Sequence, residues 1–303
     1  MKISENIKEN IAKYLGDKTE DYLKDIANKI EKYTQQWKLS QLVFTETETM
    51  GLIFFCDSVI YGVCILKFCI PEPEFETGLN CLLSYNGNSY VKIHAYDKTD
   101  YVLLMERVIP GDTMWEVENF RERARLFAEL VKDLPILWDG SGKFPTYRMW
   151  MEELRTTLIS LGDRDDALFY LDKALLIYDE LKQKYNRKCL LHGDMHQENM
   201  LLNTKSSYTI IDPKGVVDDP VMETARFLMN ESPCDIGEIE IKEIISIISS
   251  IIGIPEADVT KSMFIDAALA QCWGLDKPFS DKHDFSKEKQ KVLNICAFTY
   301  GLL

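Results

Sequence analysis

The sequence predicts an α+β chain in two parts, a five-stranded antiparallel sheet with helices and then a mostly helical part. Three observations predict it. Between Leu39 and Arg107, short runs rich in β-branched and aromatic residues alternate with turn signals. Pro110-Gly111 is the sharpest break in the chain. Beyond it apolar residues recur at helical spacing, as in Ala124, Phe127 and Val131, or Leu168, Leu171, Leu175 and Tyr178. Strands grouped ahead of helices argue for α+β rather than alternating βαβ units.

Residues 1–37 read as helical: Ile3, Ile7 and Ile11 share one face, Gly16 is a stop, and Asp17 with Glu20 suggests a capping box. Strands are expected at 39–46, 51–57 and 59–69, with turns at Thr47–Gly51 and Asp57–Ser58. Pro71 and Pro73 open a short helix to about Tyr85, and Asn86-Gly87-Asn88 is a turn. Two more strands follow, Tyr90–Tyr96 and Tyr101–Arg107. Helices are expected near 147–160, 221–230, 236–252, 256–273 and 286–301, with a hairpin at 199–212. The domain boundary is placed between 107 and 108.

Of 303 residues, 46% are apolar and 28% charged, the balance of an ordinary soluble protein, and the formal charge is −14. That charge argues against nucleic acid as a partner and is compatible with a cationic one. Eight cysteines include no C-x-x-C pair and mostly sit in apolar runs, so they read as reduced core residues of a cytoplasmic protein. No secretory leader is expected at Met1-Lys2-Ile3-Ser4. No membrane span is expected either, because the apolar stretch Ile244–Ile254 is short and interrupted.

The strongest motif is His192-Gly193-Asp194-Met195-His196-Gln197-Glu198-Asn199. Phosphoryl transfer to a hydroxyl needs a carboxylate to take or orient the hydroxyl proton and oxygen ligands for Mg²⁺ on the phosphates. Asp194 suits the first need and Asn199 the second, and their spacing equals that of the protein-kinase catalytic loop. In Ile210-Ile211-Asp212-Pro213-Lys214-Gly215, Asp212 ends an apolar run downstream, placed to be the second metal ligand. Lys67, in Val63-Cys64-Ile65-Leu66-Lys67, resembles the strand lysine that meets the α- and β-phosphates, and period two puts Ile65 on its face to cover the adenine. Glu72, Glu74 and Glu76 compete to pair with Lys67, and Glu76, deepest in the helix, is preferred. Met105, Glu106 and Val108, just before Pro110-Gly111, suit a hinge that reads the adenine edge.

With these residues in place, the chain resembles the aminoglycoside phosphotransferase group of the kinase-like superfamily. More narrowly it is similar to the aminoglycoside/hydroxyurea antibiotic-resistance kinases. The narrower match rests on the first motif, on Ile211-Asp212-Pro213-Lys214-Gly215-Val216-Val217 followed by Asp219-Pro220 and Glu223, and on Leu103-Leu104 with Glu106-Arg107 and Pro110-Gly111. The resemblance implies a protein-kinase-like bilobal fold: residues 1–107 form a nucleotide-binding lobe with a helical N-terminal extension, and 108–303 a helical catalytic and acceptor-binding lobe. It implies Asp194 as base, Asn199 and Asp212 as metal ligands, Lys67 as phosphate-binding lysine, and ATP or GTP with Mg²⁺ as cofactors. The acceptor would be a small hydroxyl compound, an aminoglycoside such as streptomycin, and the enzyme a monomer or weak dimer. His196 falls where it would touch the γ-phosphate or acceptor, or brace its loop, and His192 reads as structural.

The pattern also departs from kinases. The segment Thr45–Gly51 has one glycine, leaving phosphate either to Thr47, Thr49 and backbone N–H groups or only loosely held, and Lys214 stands at the glycine position. Asp218, Asp219, Glu223, Asp235 and Asp276 are the acids available to a cationic acceptor. Competing readings are a metabolite kinase on the same fold, a protein kinase, a non-catalytic nucleotide-binding module, and a metal hydrolase using His192, Asp194 and His196. The short segment after Gly215 and the missing A-P-E element count against a protein kinase. The loop spacing of the histidines counts against a zinc site.

Overall fold

The five strands expected between Leu39 and Arg107 form one antiparallel sheet, in the computed structural model, with the order β1-β2-β3-β5-β4. They are β1 Leu39–Thr45, β2 Gly51–Ser58, β3 Gly62–Cys69, β4 Ile93–Asp97 and β5 Val102–Glu106. The structure describes residues 4–45, 51–231, 233–276 and 282–303, so Thr47 and Thr49 lie outside the described residues.

Two strand ends differ from expectation. The β2–β3 turn is Val59–Tyr61, not Asp57–Ser58, because Val59 and Ile60 are β-branched yet 85% and 56% exposed, at the tip of the hairpin. Tyr90 does not begin β4. It bridges Ile210 instead, and the Val91 N–H donates to the Ile210 carbonyl at 2.8 Å.

The N-terminal helices, α1 Glu5–Leu15 and α2 Thr19–Gln36, place Ile7, Ile11, Ile26, Tyr33 and Trp37 in one apolar cluster with Leu52, Phe54, Leu66 and Phe68 of the sheet. The expected capping box does not form. Asp17 lies in a 3₁₀ turn, Gly16–Lys18, and the residue before α2 is Lys18, which has no side-chain acceptor to offer. Helix α3, Pro73–Tyr85, starts on its proline and ends at Asn86 in the left-handed conformation.

Residues 1–111 with 201–211 make one compact unit, and residues 112–200 with 212–303 make another. The second unit carries α4 Phe120–Val131, α5 Tyr147–Leu161, α6 Asp165–Lys184, α7 Ala225–Asn230, α8 Pro233–Ile236, α9 Glu238–Ile252, α10 Glu256–Trp273 and α11 Lys282–Gly301. Helix α10 is buried nearly all round and packs on α6, α7 and α11, so it shows no single apolar stripe. A small sheet of Ile136–Leu137, Cys189–Leu191 and Val216–Asp218 was not legible in the sequence, since its strands are two or three residues long. Six of the eight cysteines are buried and none is disulfide-bonded. Among the described residues no helix is long and apolar enough to cross a membrane.

Candidate active site

The small sheet brings the two strongest motifs together. Cys189–Leu191 pairs antiparallel with Val216–Asp218, with Leu191 opposite Val216. The residues leaving one strand, from His192, therefore lie beside those entering the other, Lys214 and Gly215. The His192 carbonyl accepts from both the Lys214 and Gly215 N–H groups, at 2.9 and 3.1 Å. Gly193 takes a left-handed φ of 79°, and a Cβ there would sit 2.9 Å from the Trp150 ring and from Val216, so only glycine fits this turn.

The turn presents Asp194, whose side chain is 21% exposed. Its Oδ1 lies 3.1 Å from an Arg226 guanidinium nitrogen on α7. Arg226 in turn holds both oxygens of Asp266, on buried α10, at 2.9 and 3.1 Å. Burial works to raise the Asp194 carboxyl, but Arg226 first, then Lys214, His196 and His192, outweigh it and hold it below the usual carboxylate range. Burial likewise opposes the Arg226 charge, and Asp266 and Asp194 overcome it. Asp194 is thus kept ionised.

Asn199 closes the loop. Its Nδ2 donates to the Asp194 carbonyl at 2.9 Å and lies 3.1 Å from His196 Nε2. That leaves Oδ1 as the atom a hard cation would take. Asp212 adopts a left-handed φ of 53°, rare for a residue with a side chain and frequent at functional turns. One amide oxygen and one carboxylate fit Mg²⁺, which keeps waters and takes its other ligands from phosphates. His196 has its Nε2 3.9 Å from Asp194 Oδ2, while its buried Nδ1 has no hydrogen-bond partner. His192 is fully buried and its Nδ1 accepts from the Asp194 N–H at 3.1 Å, so it braces the turn. Among the described residues no cluster of three or more His, Cys, Asp or Glu could hold a metal.

Most acids proposed for a cationic acceptor have other work. Asp218 accepts from Tyr178 at 2.7 Å and Lys182 at 2.8 Å, and Asp219 caps the 3₁₀ turn Pro220–Thr224 and accepts from the Arg187 N–H at 2.9 Å. Both are buried, so neither can meet an acceptor. Glu223 is 3% exposed and accepts from the His192 and Gly193 N–H groups at 2.8 and 3.3 Å. Asp235 and Asp276 are exposed. Arg226, Asp266 and Trp150 went unrecognised. For Asp266 a signal existed: a carboxylate inside Met263-Phe264-Ile265-Asp266-Ala267-Ala268-Leu269 must find a buried partner. Trp150 is half-buried against Gly193, and Trp273 meets it edge to face with ring centroids 5.8 Å apart.

In the first unit, alternation along β3 holds. Ile65 and Lys67 are half-buried on one face, while Cys64, Leu66 and Phe68 are buried on the other. Ile65 stands opposite Met105 across the β3–β5 pair, so the two apolar residues expected around an adenine are neighbours. Glu106 accepts from the Lys92 N–H at 3.0 Å, and Val108 is half-buried ahead of Gly111. Glu76 does not fit the role preferred for it. Its side chain is 65% exposed and lies 3.8 Å from Lys98, since it sits on the outer face of α3.

Among solved structures, the chain is similar to choline kinase LicA from Streptococcus pneumoniae, at 11% identity and a TM-score of 0.65 over 91% of this chain and 99% of that one. It is also similar to a thermostable variant of aminoglycoside phosphotransferase APH(4)-Ia in complex with ADP and hygromycin B, at 13% identity and a TM-score of 0.59, covering 89% of this chain and 97% of that one. The fold is therefore the kinase-like one. A streptomycin 6-kinase from Streptomyces glaucescens is 22% identical over 229 residues, 73% of this chain and 72% of the relative. The chain belongs to the aminoglycoside/hydroxyurea antibiotic resistance kinase family, which matches residues 62–276.

Proposed function

We propose that the protein transfers the γ-phosphoryl group of ATP, or GTP, to a hydroxyl of an aminoglycoside-type antibiotic such as streptomycin. The observation that carries the chemistry is Asp194, kept ionised by Arg226 at 3.1 Å and backed by Asn199 on the same turn. The acceptor hydroxyl gives its proton to Asp194 as its oxygen attacks the γ-phosphorus. The bond from that phosphorus to the bridging oxygen breaks, and its electron pair leaves with the nucleoside diphosphate. Asn199 and Asp212 would hold Mg²⁺, which neutralises the phosphate charge when bound. Lys67 is assigned to the α- and β-phosphates, Ile65, Met105, Glu106 and Val108 to the base, and His196 to the γ-phosphate. The half-buried Trp150–Trp273 pair next to the catalytic turn supports an acceptor that carries positive charge, because indole faces attract cations. A cytoplasmic location, where nucleoside triphosphate is made, accords with this reading.

The acceptor is tested by following nucleotide consumption against streptomycin, related aminoglycosides, hydroxyurea, choline and simple sugars. Turnover with streptomycin, and protection of a susceptible bacterium by the expressed protein, is the expected outcome. Turnover with choline or a sugar alone would make it a metabolite kinase, and binding of Mg-ATP without any turnover would make it a nucleotide-binding module.

A further inference from the structure

The carboxylate of Glu223 is buried behind the catalytic turn, and its two oxygens are engaged separately. Oε2 accepts from the His192 N–H at 2.8 Å, and Oε1 from the Gly193 N–H at 3.3 Å. These are the two residues before Asp194, and Gly193 is hemmed in by Trp150 and Val216. We propose that Glu223 is a positioning residue: its ionised carboxylate anchors the turn that carries Asp194, so that its protonation sets the acid limb of the pH–rate profile. The inference rests on the phosphotransfer reading above.

The ionisable groups around Glu223 are Asp194 and His192 on the turn and Tyr147 on α5; His196, Arg226 on α7 and Asp266 on α10 act on Asp194. Arg226 pairs with Asp194 and Asp266, so what holds Glu223 is a pair of neutral N–H donors. Burial pushes the Glu223 carboxyl up to about 7, the two N–H groups oppose this, and the Asp194 charge adds to it. Asp194 itself is held low, so it stays ionised where Glu223 changes charge. A proton on either Glu223 oxygen weakens one of the two anchoring bonds. A displaced catalytic group is costly, since about 1 Å can cost about 10²-fold in rate.

The test measures kcat for wild type and Glu223→Gln from about pH 5.5 to 8.5 with the acceptor that turns over. Wild-type kcat should fall about tenfold per pH unit below about 7, and the variant should be flat there. The variant's kcat at the alkaline end should be about 10- to 100-fold lower, with KM for the nucleotide within about twofold. A limb that persists in the variant belongs to another group and overturns the proposal. In parallel, the amide NMR signals of His192 and Gly193 in the wild-type protein should titrate together with a midpoint near 7. A midpoint below about 5, the ordinary range of a carboxyl, overturns the proposal even if the variant does not fold. A wild type that phosphorylates nothing sinks the phosphotransfer reading, whereas the amide titration decides the anchoring separately.

Discussion

At the scale of single residues, Asp194 is defined by the charges around it. Asp194→Asn removes the proposed proton acceptor and keeps the shape, so kcat should fall by about 10³-fold or more with nucleotide affinity nearly unchanged, as single-turnover and binding measurements would show. Arg226→Met leaves Asp266 buried without its cation; urea unfolding should show a loss of about 3–5 kcal/mol. The sign of the pH effects differs between the two loop acids. Asp194 has a folded pKa below its unfolded value, so its stabilisation is present at neutral pH and is lost as pH falls through the acid range. Glu223 has a raised one, so its contribution is full below the unfolded value and fades as pH rises toward about 7. Glu223→Gln should therefore gain on wild type, by up to about 3 kcal/mol, when unfolding at pH 8 is compared with unfolding at pH 5. A variant with lower activity and a flatter stability profile would separate positioning from stability.

At the scale of elements, pairing across short strands builds the site. Sequence periodicity finds the long helices and the five strands of the first unit because each repeats its pattern several times. It does not find Cys189–Leu191 beside Val216–Asp218, because two strands of three residues carry no period. Yet that pairing makes neighbours of His192 and Gly215. The N-terminal helices teach the converse lesson. Their apolar face was legible, while their destination was not: Tyr33 reaches across to Asp97 and Asp100, at 2.8 and 2.7 Å. The Tyr33 hydroxyl leads in holding the Asp97 carboxyl below its usual range. Tyr33→Phe removes this donor and should cost about 1–2 kcal/mol in thermal or urea unfolding. The loss should shrink as pH falls and Asp97 protonates, because its stabilisation is present only while it is charged.

At the scale of the whole molecule, the proposed cofactor should couple to stability. A nucleotide that binds only the folded protein adds about 2.7 kcal/mol when its concentration is 100 times its Kd. Mg-ATP should therefore raise the melting temperature of the wild-type protein by several degrees. Asp212→Ala should lose most of that shift and Asp194→Asn should keep it, because one is assigned to the metal and the other to the acceptor proton. A melting temperature that ignores Mg-ATP in the wild-type protein would sink the nucleotide assignment.

What the sequence determined by itself was the class of protein, together with the residues to nominate for its chemistry. Asp194, Asn199, Asp212 and Lys67 could be picked out because phosphoryl transfer demands those side-chain types, and the loop that carries Asp194 and Asn199 fixes their spacing locally. Tertiary structure alone decided which charges face Asp194, that Glu223 holds the turn from behind, and that Glu76 turns outward to Lys98. The physical reason is range. A motif records neighbours along the chain, whereas the charge state of a buried carboxylate depends on groups brought within a few ångströms from helices far apart in sequence, here α7 and α10.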